Sequence, residues 1–287
     1  MTETNATPPD ASISEPKTLT DRVREEVMEW VRLLSVFIPA FFFFSMVLFE
    51  QRVIPSESMV PALQVGDRVA VNKFAYGYSR FSIPWGVDRL LPLGSGRLFG
   101  RQPKHGDVVV FMHPHYRRVM IKRLIGMPGD RVELRNEQLF LNGRAVPTEF
   151  IRDFRYNPRG ERGTTPTREY REELNGASYL AHQWYDREPL DSTPVFIVPD
   201  GHFFFIGDNR DNSKDARDLS GHCPTIDGVV EEAGCDPRLG VSAKDASVGF
   251  VPFDHLIGRA ETVLWTTKRC ATQPRLECAE PRVWKSL

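Results

Sequence analysis

Apolar positions are unevenly spread along the chain. Positions 33–49 carry no charge and include four consecutive phenylalanines, Phe41, Phe42, Phe43 and Phe44. A helix over these positions extends about 25 Å, close to the lower limit for crossing a hydrocarbon core. Arg32 and Glu50 flank the run, where snorkelling carries their charges to the headgroups. Val23, Val27, Trp30 and Leu34 repeat upstream at helical spacing, which predicts one helix from about Thr20 to Glu50. A buried core helix containing Pro39 and a cleaved secretory signal are the other readings of this segment. Its all-round apolarity disfavours the first. The absence of a small-x-small site in 47–51 disfavours the second. Lys17, Arg22, Arg24 and Arg32 precede the run and only Arg52 follows closely, which places the N-terminus in the cytoplasm.

Beyond position 50 the apolar runs shorten to strand length. Stretches at 107–111, 119–125, 138–141, 195–198 and 203–206 are separated by Gly, Pro, Asn and Asp. Asn142-Gly143 directly after Leu139-Phe140-Leu141 predicts a two-residue hairpin. Helical periodicity is weak in this part. The fold class expected is mainly β, an antiparallel sheet preceded by one N-terminal transmembrane helix.

Composition narrows the choice of function. The 287 residues hold 37 Lys and Arg against 38 Asp and Glu, a net charge of −1, which disfavours a nucleic-acid partner. Residues 1–18 are rich in Thr, Pro, Ser and Glu and are expected to form a disordered cytoplasmic tail. Mean hydropathy of −0.34 excludes a protein with many membrane spans. Cys223, Cys235, Cys270 and Cys278 all fall in the last quarter of the chain, on the side inferred to be extracytoplasmic, where disulfides form. Pairing of nearest neighbours is the simplest of the three arrangements. A zinc site on His222, Cys223 and Cys235 is the rival reading, without Cys-x-x-Cys spacing to support it. His113 and His115 flank Pro114 and read as a solvated loop at a strand end.

Three segments carry candidate chemistry. No Gly-x-Ser-x-Gly elbow is present, so a Ser-His-Asp enzyme has no support in the sequence. Residues 54–67 instead read Ile-Pro-Ser-Glu-Ser-Met-Val-Pro-Ala-Leu-Gln-Val-Gly-Asp, in which Pro55 and Pro61 restrict the backbone around Ser56 and Ser58. This is either a structural turn or a rigid presentation of small hydroxyls. In 119–126, strand alternation puts Met120, Lys122 and Leu124 on one face and Val119, Ile121 and Arg123 on the other. A lysine among apolar neighbours is desolvated toward its neutral, proton-accepting form, unless it snorkels from a strand edge. The third segment, Gly-Asp-Asn-Arg-Asp-Asn-Ser-Lys-Asp-Ala-Arg at 207–217, demands a loop, in which Asp215 and Arg217 are placed to pair. Its carboxylates also suit a divalent cation, although the EF-hand pattern is missing.

In their order along the chain, these segments resemble the bacterial type I signal peptidases, or leader peptidases. The resemblance runs from the apolar run through the 54–67 segment, Gly-Asp-Val-Val-Val-Phe at 106–111, Ile-Lys-Arg-Leu-Ile-Gly-Met-Pro-Gly-Asp at 121–130 and the 207–213 loop. It implies Ser58 as nucleophile, Lys122 as general base, Ser56 as an oxyanion donor beside the Ser58 N–H, and Ser213 as the group orienting the Lys122 amine. Asp215 and Arg217 would brace that loop. Ile54, Pro55, Met59, Leu63, Met120 and Ile121 match positions lining shallow apolar pockets. The resemblance further implies a β-rich catalytic core over 51–287, interrupted by a smaller β-subdomain at about 131–200. Substrates would be secreted preproteins, the setting the cytoplasmic membrane with the catalytic domain outside, and the partners membrane lipid and the secretion translocon. No cofactor or metal is implied. Ala62 and Ala216 depart from the family pattern, as does an atypical insertion at 218–247. Phe81, Ile83 and Trp85 either dip into the bilayer or pack an internal hairpin. A specialised processing peptidase for conjugation or surface-structure proteins, a Ser-Lys repressor-type peptidase and a catalytically silent assembly protein are the alternatives. The retained Ser58 and Lys122 speak against the last, and the repressor type lacks an anchor.

Overall fold

The computed structural model describes residues 18–82, 96–115, 117–156, 164–185, 189–218, 225–226, 229–230, 248–266 and 282–287. All four cysteines, together with Ile83, Trp85 and most of the 218–247 insertion, lie outside these residues. The expectations attached to them are therefore neither met nor overturned. The chain divides into two compact units, Met1–Ser45 and Met46–Leu287.

The first unit contains most of α1, Leu19–Leu48. Thr18 starts it: the Thr18 hydroxyl donates to Asp21 Oδ2 at 2.5 Å and accepts from the Asp21 N–H at 3.3 Å, satisfying donors that a first turn leaves open. Pro39 lies inside the helix. Apolar side chains around the whole circumference are exposed, Phe37, Phe41, Phe42 and Phe43 among them. Yet among the described residues no helix is long and apolar enough to cross a membrane, so the span expected from the sequence is not shown there. Glu25, Glu26, Glu29 and Arg32 occupy the first half of α1, and its uncharged positions begin at Leu33.

The second unit is built on an eight-stranded sheet. Its strands are β1 (Phe49–Val53), β2 (Asp67–Asn72), β3 (Val108–Met112), β4 (Val119–Gly126), β12 (His202–Ile206), β15 (Val251–Pro252), β16 (Leu256–Thr266) and β17 (Val283–Ser286). The order is β1-β2-β16-β3-β4-β12-β15, with β17 also on β16, and the pairings are antiparallel. Strand alternation in β3 sends Val108 and Val110 into one apolar cluster, with Ile54, Met59 and Leu63, and Val109 and Phe111 into another, with Leu124 and Phe205. The sheet is therefore covered on both faces, and the turn between β1 and β2 sits on one of them.

The chain between β4 and β12 forms smaller sheets. β5 (Arg131–Arg135), β6 (Gln138–Leu141), β7 (Arg144–Ala145) and β11 (Phe196–Ile197) make one, and β8 (Thr148–Tyr156), β9 (Thr165–Leu174) and β10 (Ala177–Trp184) the other. Asn142 and Gly143 both take positive φ between β6 and β7, the conformation a tight two-residue hairpin requires. These sheets share a core of Ile125, Leu134, Leu174, Phe196 and Phe204, which ties them to the ends of β4 and β12. Within the insertion, β13 (Thr225–Ile226) pairs with β14 (Val229–Val230).

Candidate active site

Ser58 lies in the turn between β1 and β2. The Ile54 N–H donates to Asp67 O and the Gly66 N–H to Ile54 O, both at 2.9 Å, closing the base of the loop. Met59 and Leu63 are fully buried beneath it and fix its underside. The Ser58 side chain is thereby held against β4.

Lys122 reaches Ser58 from the middle of β4, where its backbone pairs with Val109. Its Nζ donates to Ser58 Oγ at 2.5 Å, and the residue is only 3% exposed. Burial lowers its pKa from 10.5 to about 8, against the opposing pull of Asp215 and Asp208. Arg118 and Arg217 add to the lowering. At neutral pH a useful fraction of this amine is unprotonated, whereas an ordinary lysine is almost wholly charged. Ser56 is exposed, with its Oγ 3.4 Å from Ser58 Oγ. The structure thus brings Ser56, Ser58 and Lys122 together.

The 207–217 loop packs behind this pair. Arg217 grips Asp215 through two nitrogens at 2.9 and 3.0 Å, and the Gly207 N–H donates to Asp215 Oδ2 at 2.9 Å. Burial alone would raise the Asp215 pKa, but Arg217 and the Gly207 N–H outweigh it and keep the group ionised. Ser213 Oγ is buried beside Gly207 and makes no hydrogen bond to Lys122. A Cβ at Gly207 would stand 2.2 Å from Ser213 Oγ and 2.5 Å from Ser58 O, so this position has no room for a side chain.

The six pocket positions are not equivalent. Ile54, Met59 and Leu63 belong to one core cluster, against which Ile121 packs, whereas Met120 packs on the opposite cluster. Pro55 is exposed. Phe81 packs against the Ile54 cluster and stands edge-on to the His255 ring at 4.7 Å. The loop carboxylates are committed to protein partners: Asp208 to Arg123, Asp215 to Arg217, and Asp211 to the Trp184 N–H. Among the described residues no group of three or more His, Cys, Asp or Glu could hold a metal ion.

Sequence reasoning passed over the residues that fasten the loop. Arg123 makes two 2.7 Å bonds to Asp208 and a third to Gly106 O. Arg210 binds Glu172 of β9 at 2.5 Å, and the His182 N–H of β10 donates to Asp208 O at 2.8 Å. All three arginines of this region, Arg123, Arg210 and Arg217, are buried. Charged residues buried in ion pairs leave no trace in a hydrophobicity pattern. The signal available was the clustering of unlike charges within 207–217 opposite the Lys-Arg pair of β4.

The family model for signal peptidases, peptidase S26, matches residues 27–265. Signal peptidase I of Rickettsia typhi is 31% identical over 229 residues, covering 77% of this chain and 74% of that protein. Signal peptidase I of Rickettsia massiliae is 32% identical over 237 residues, covering 77% and 73%. The Rickettsia bellii enzyme of the same name is 30% identical over 254 residues, covering 84% and 73%.

Proposed function

Because the chain belongs to the signal peptidase family, peptidase S26, we propose that it is a membrane-anchored endopeptidase that cuts signal peptides from secreted preproteins with a Ser58–Lys122 dyad. The observation that carries the dyad is the 2.5 Å contact between a buried lysine amine and a serine hydroxyl. In the reaction, neutral Lys122 Nζ takes the proton of Ser58 Oγ, and Oγ attacks the scissile carbonyl carbon. The Ser58 N–H and the Ser56 hydroxyl donate to the resulting oxyanion. As the tetrahedral intermediate collapses, the Lys122 ammonium protonates the departing amine, leaving a Ser58 ester. Lys122 then deprotonates a water that attacks the ester and releases the signal peptide.

An open strand edge suits an extended substrate. β12 pairs with β4 only through Arg123, Leu124 and Gly126, so residues 119–122 hydrogen-bond to β3 on one side alone. A peptide laid along this edge gains main-chain hydrogen bonds and brings its carbonyl to Ser58. A preference for small residues at the first and third positions before the cut follows from well-packed apolar surroundings, in which a larger side chain overpacks.

Anchoring is supported by the exposed apolar side chains of α1 and by the ten positions from Leu48 to Ser58. Such a short link keeps the nucleophile close to the surface in which a signal peptide is embedded. The excess of basic residues before the apolar run supports an extracytoplasmic location for residues 51–287. Incubation with a preprotein whose signal peptide ends in Ala-x-Ala tests the proposal. Mass spectrometry should find a single cut after the second alanine with wild type and none with Ser58→Ala. Cleavage elsewhere, or by the variant, overturns it.

A further inference from the structure

The peptide that carries the nucleophile is gripped from the opposite side by two asparagines. The Asn209 N–H donates to Ser58 O at 3.2 Å, and its side-chain Nδ2 donates to Glu57 O, also at 3.2 Å. Asn212 Nδ2 donates to Glu57 Oε2 at 3.1 Å. Three bonds thus converge on two consecutive residues, one of them Ser58. Asn209 precedes the short helical turn Arg210–Asn212, a place where an asparagine side chain commonly caps its own turn. It makes no such cap here and is committed across the gap to Glu57 instead. Asn209 is fully buried, so its position is set by what surrounds it. The loop bearing both asparagines is in turn tied to β9 and β10 through Arg210–Glu172, the His182 N–H to Asp208 O, and the Trp184 N–H to Asp211.

We infer that Asn209 and Asn212 are positioning residues, which fix the Glu57–Ser58 peptide so that Ser58 Oγ stays on Lys122 while its N–H faces the developing oxyanion. This rests on Ser58 acting as nucleophile. The chemistry requires such a brace, because Ser58 supplies both the attacking atom and an oxyanion donor. A small rotation of the 57–58 peptide moves both out of place at once. Misplacement of reacting groups by about 1 Å can cost on the order of a hundredfold in rate. Substrate binding along the β4 edge does not involve these bonds and is left unchanged.

A double-mutant cycle between Glu57 and Asn212, read as kcat and KM for cleavage of a preprotein peptide, tests the inference. Asn212→Ala and Glu57→Ala should each lower kcat by about tenfold at unchanged KM, and the double variant should be no slower than either single one. Glu57→Gln, which keeps an oxygen to accept from Asn212, should stay within about twofold of wild type. Asn209→Ala should lower kcat further, and the midpoint of its pH profile should not move, because Lys122 is untouched. Wild-type kcat in the single variants, losses that multiply in the double variant, or a loss seen in KM overturns the inference. If Asn209→Ala does not fold, the Glu57–Asn212 cycle decides alone. Inactivity of Ser58→Ala alongside multiplying losses would leave the dyad standing and remove only the brace.

Discussion

Lys122 concentrates the conflict between stability and activity in one side chain. Its pKa of about 8 means that below pH 8 the folded protein holds an ammonium in an apolar setting, at a cost of about 3 kcal/mol relative to the unfolded chain. Because the unfolded lysine retains its proton up to about pH 10.5, the unfolded state binds more protons between pH 8 and 10.5, and stability rises with pH across that window. Lys122→Met should therefore raise stability at pH 7 by about 2–3 kcal/mol, with the gain shrinking toward pH 10, as denaturant titrations at the two pH values would record. The same shift predicts that kcat/KM climbs with pH to a midpoint near 8, since only the neutral amine accepts the serine proton. A midpoint near 10 would show a lysine still in water. Ser56→Ala removes one oxyanion donor and should lower kcat by about a hundredfold without changing KM.

At the scale of elements, the 207–217 loop is the joint between the catalytic sheet and the sheets inserted after β4. Arg210 and Glu172 are each 2% exposed, and such a pair tolerates loss of both partners better than loss of one. Glu172→Ala should cost about 3–5 kcal/mol of stability by leaving the Arg210 charge buried without its carboxylate. Adding Arg210→Met should recover most of the loss, which thermal melts of the two variants would show. This joint also marks where the sequence stops being readable. The apolar runs gave β3, β4, β6 and β12, because buried strands announce themselves by hydrophobicity. β8 and β9, Thr148–Tyr156 and Thr165–Leu174, are rich in charged residues and carry no apolar run, although together they form most of the second inserted sheet. The Asn142-Gly143 hairpin was legible from its turn residues. Asn175-Gly176 between β9 and β10 carries the same signal with positive φ at both positions, but its flanking strands are too polar to draw notice. Ser58 and Lys122 were legible because their segments resemble a family, whereas their sequence separation of 64 is closed only by the fold.

For the whole molecule, the exposed apolar helix α1 is followed directly in the chain by the unit that carries Ser58 and Lys122. With α1 as the proposed anchor, enzyme and preprotein would share one membrane, which raises their effective concentration without new contacts. A variant lacking residues 1–48 should cleave a soluble peptide at nearly the wild-type rate, yet cleave a preprotein embedded in vesicles at least about tenfold more slowly. Equal slowing of both substrates would mean that the helix supports the fold rather than the encounter. The central proposal is that Lys122 activates Ser58 by taking its proton. Cleavage of a vesicle-embedded preprotein by full-length protein carrying Lys122→Met measures this most directly. The protein should remain correctly folded and more stable while its turnover falls at least about a thousandfold, and turnover near that of wild type would contradict the Ser58–Lys122 dyad.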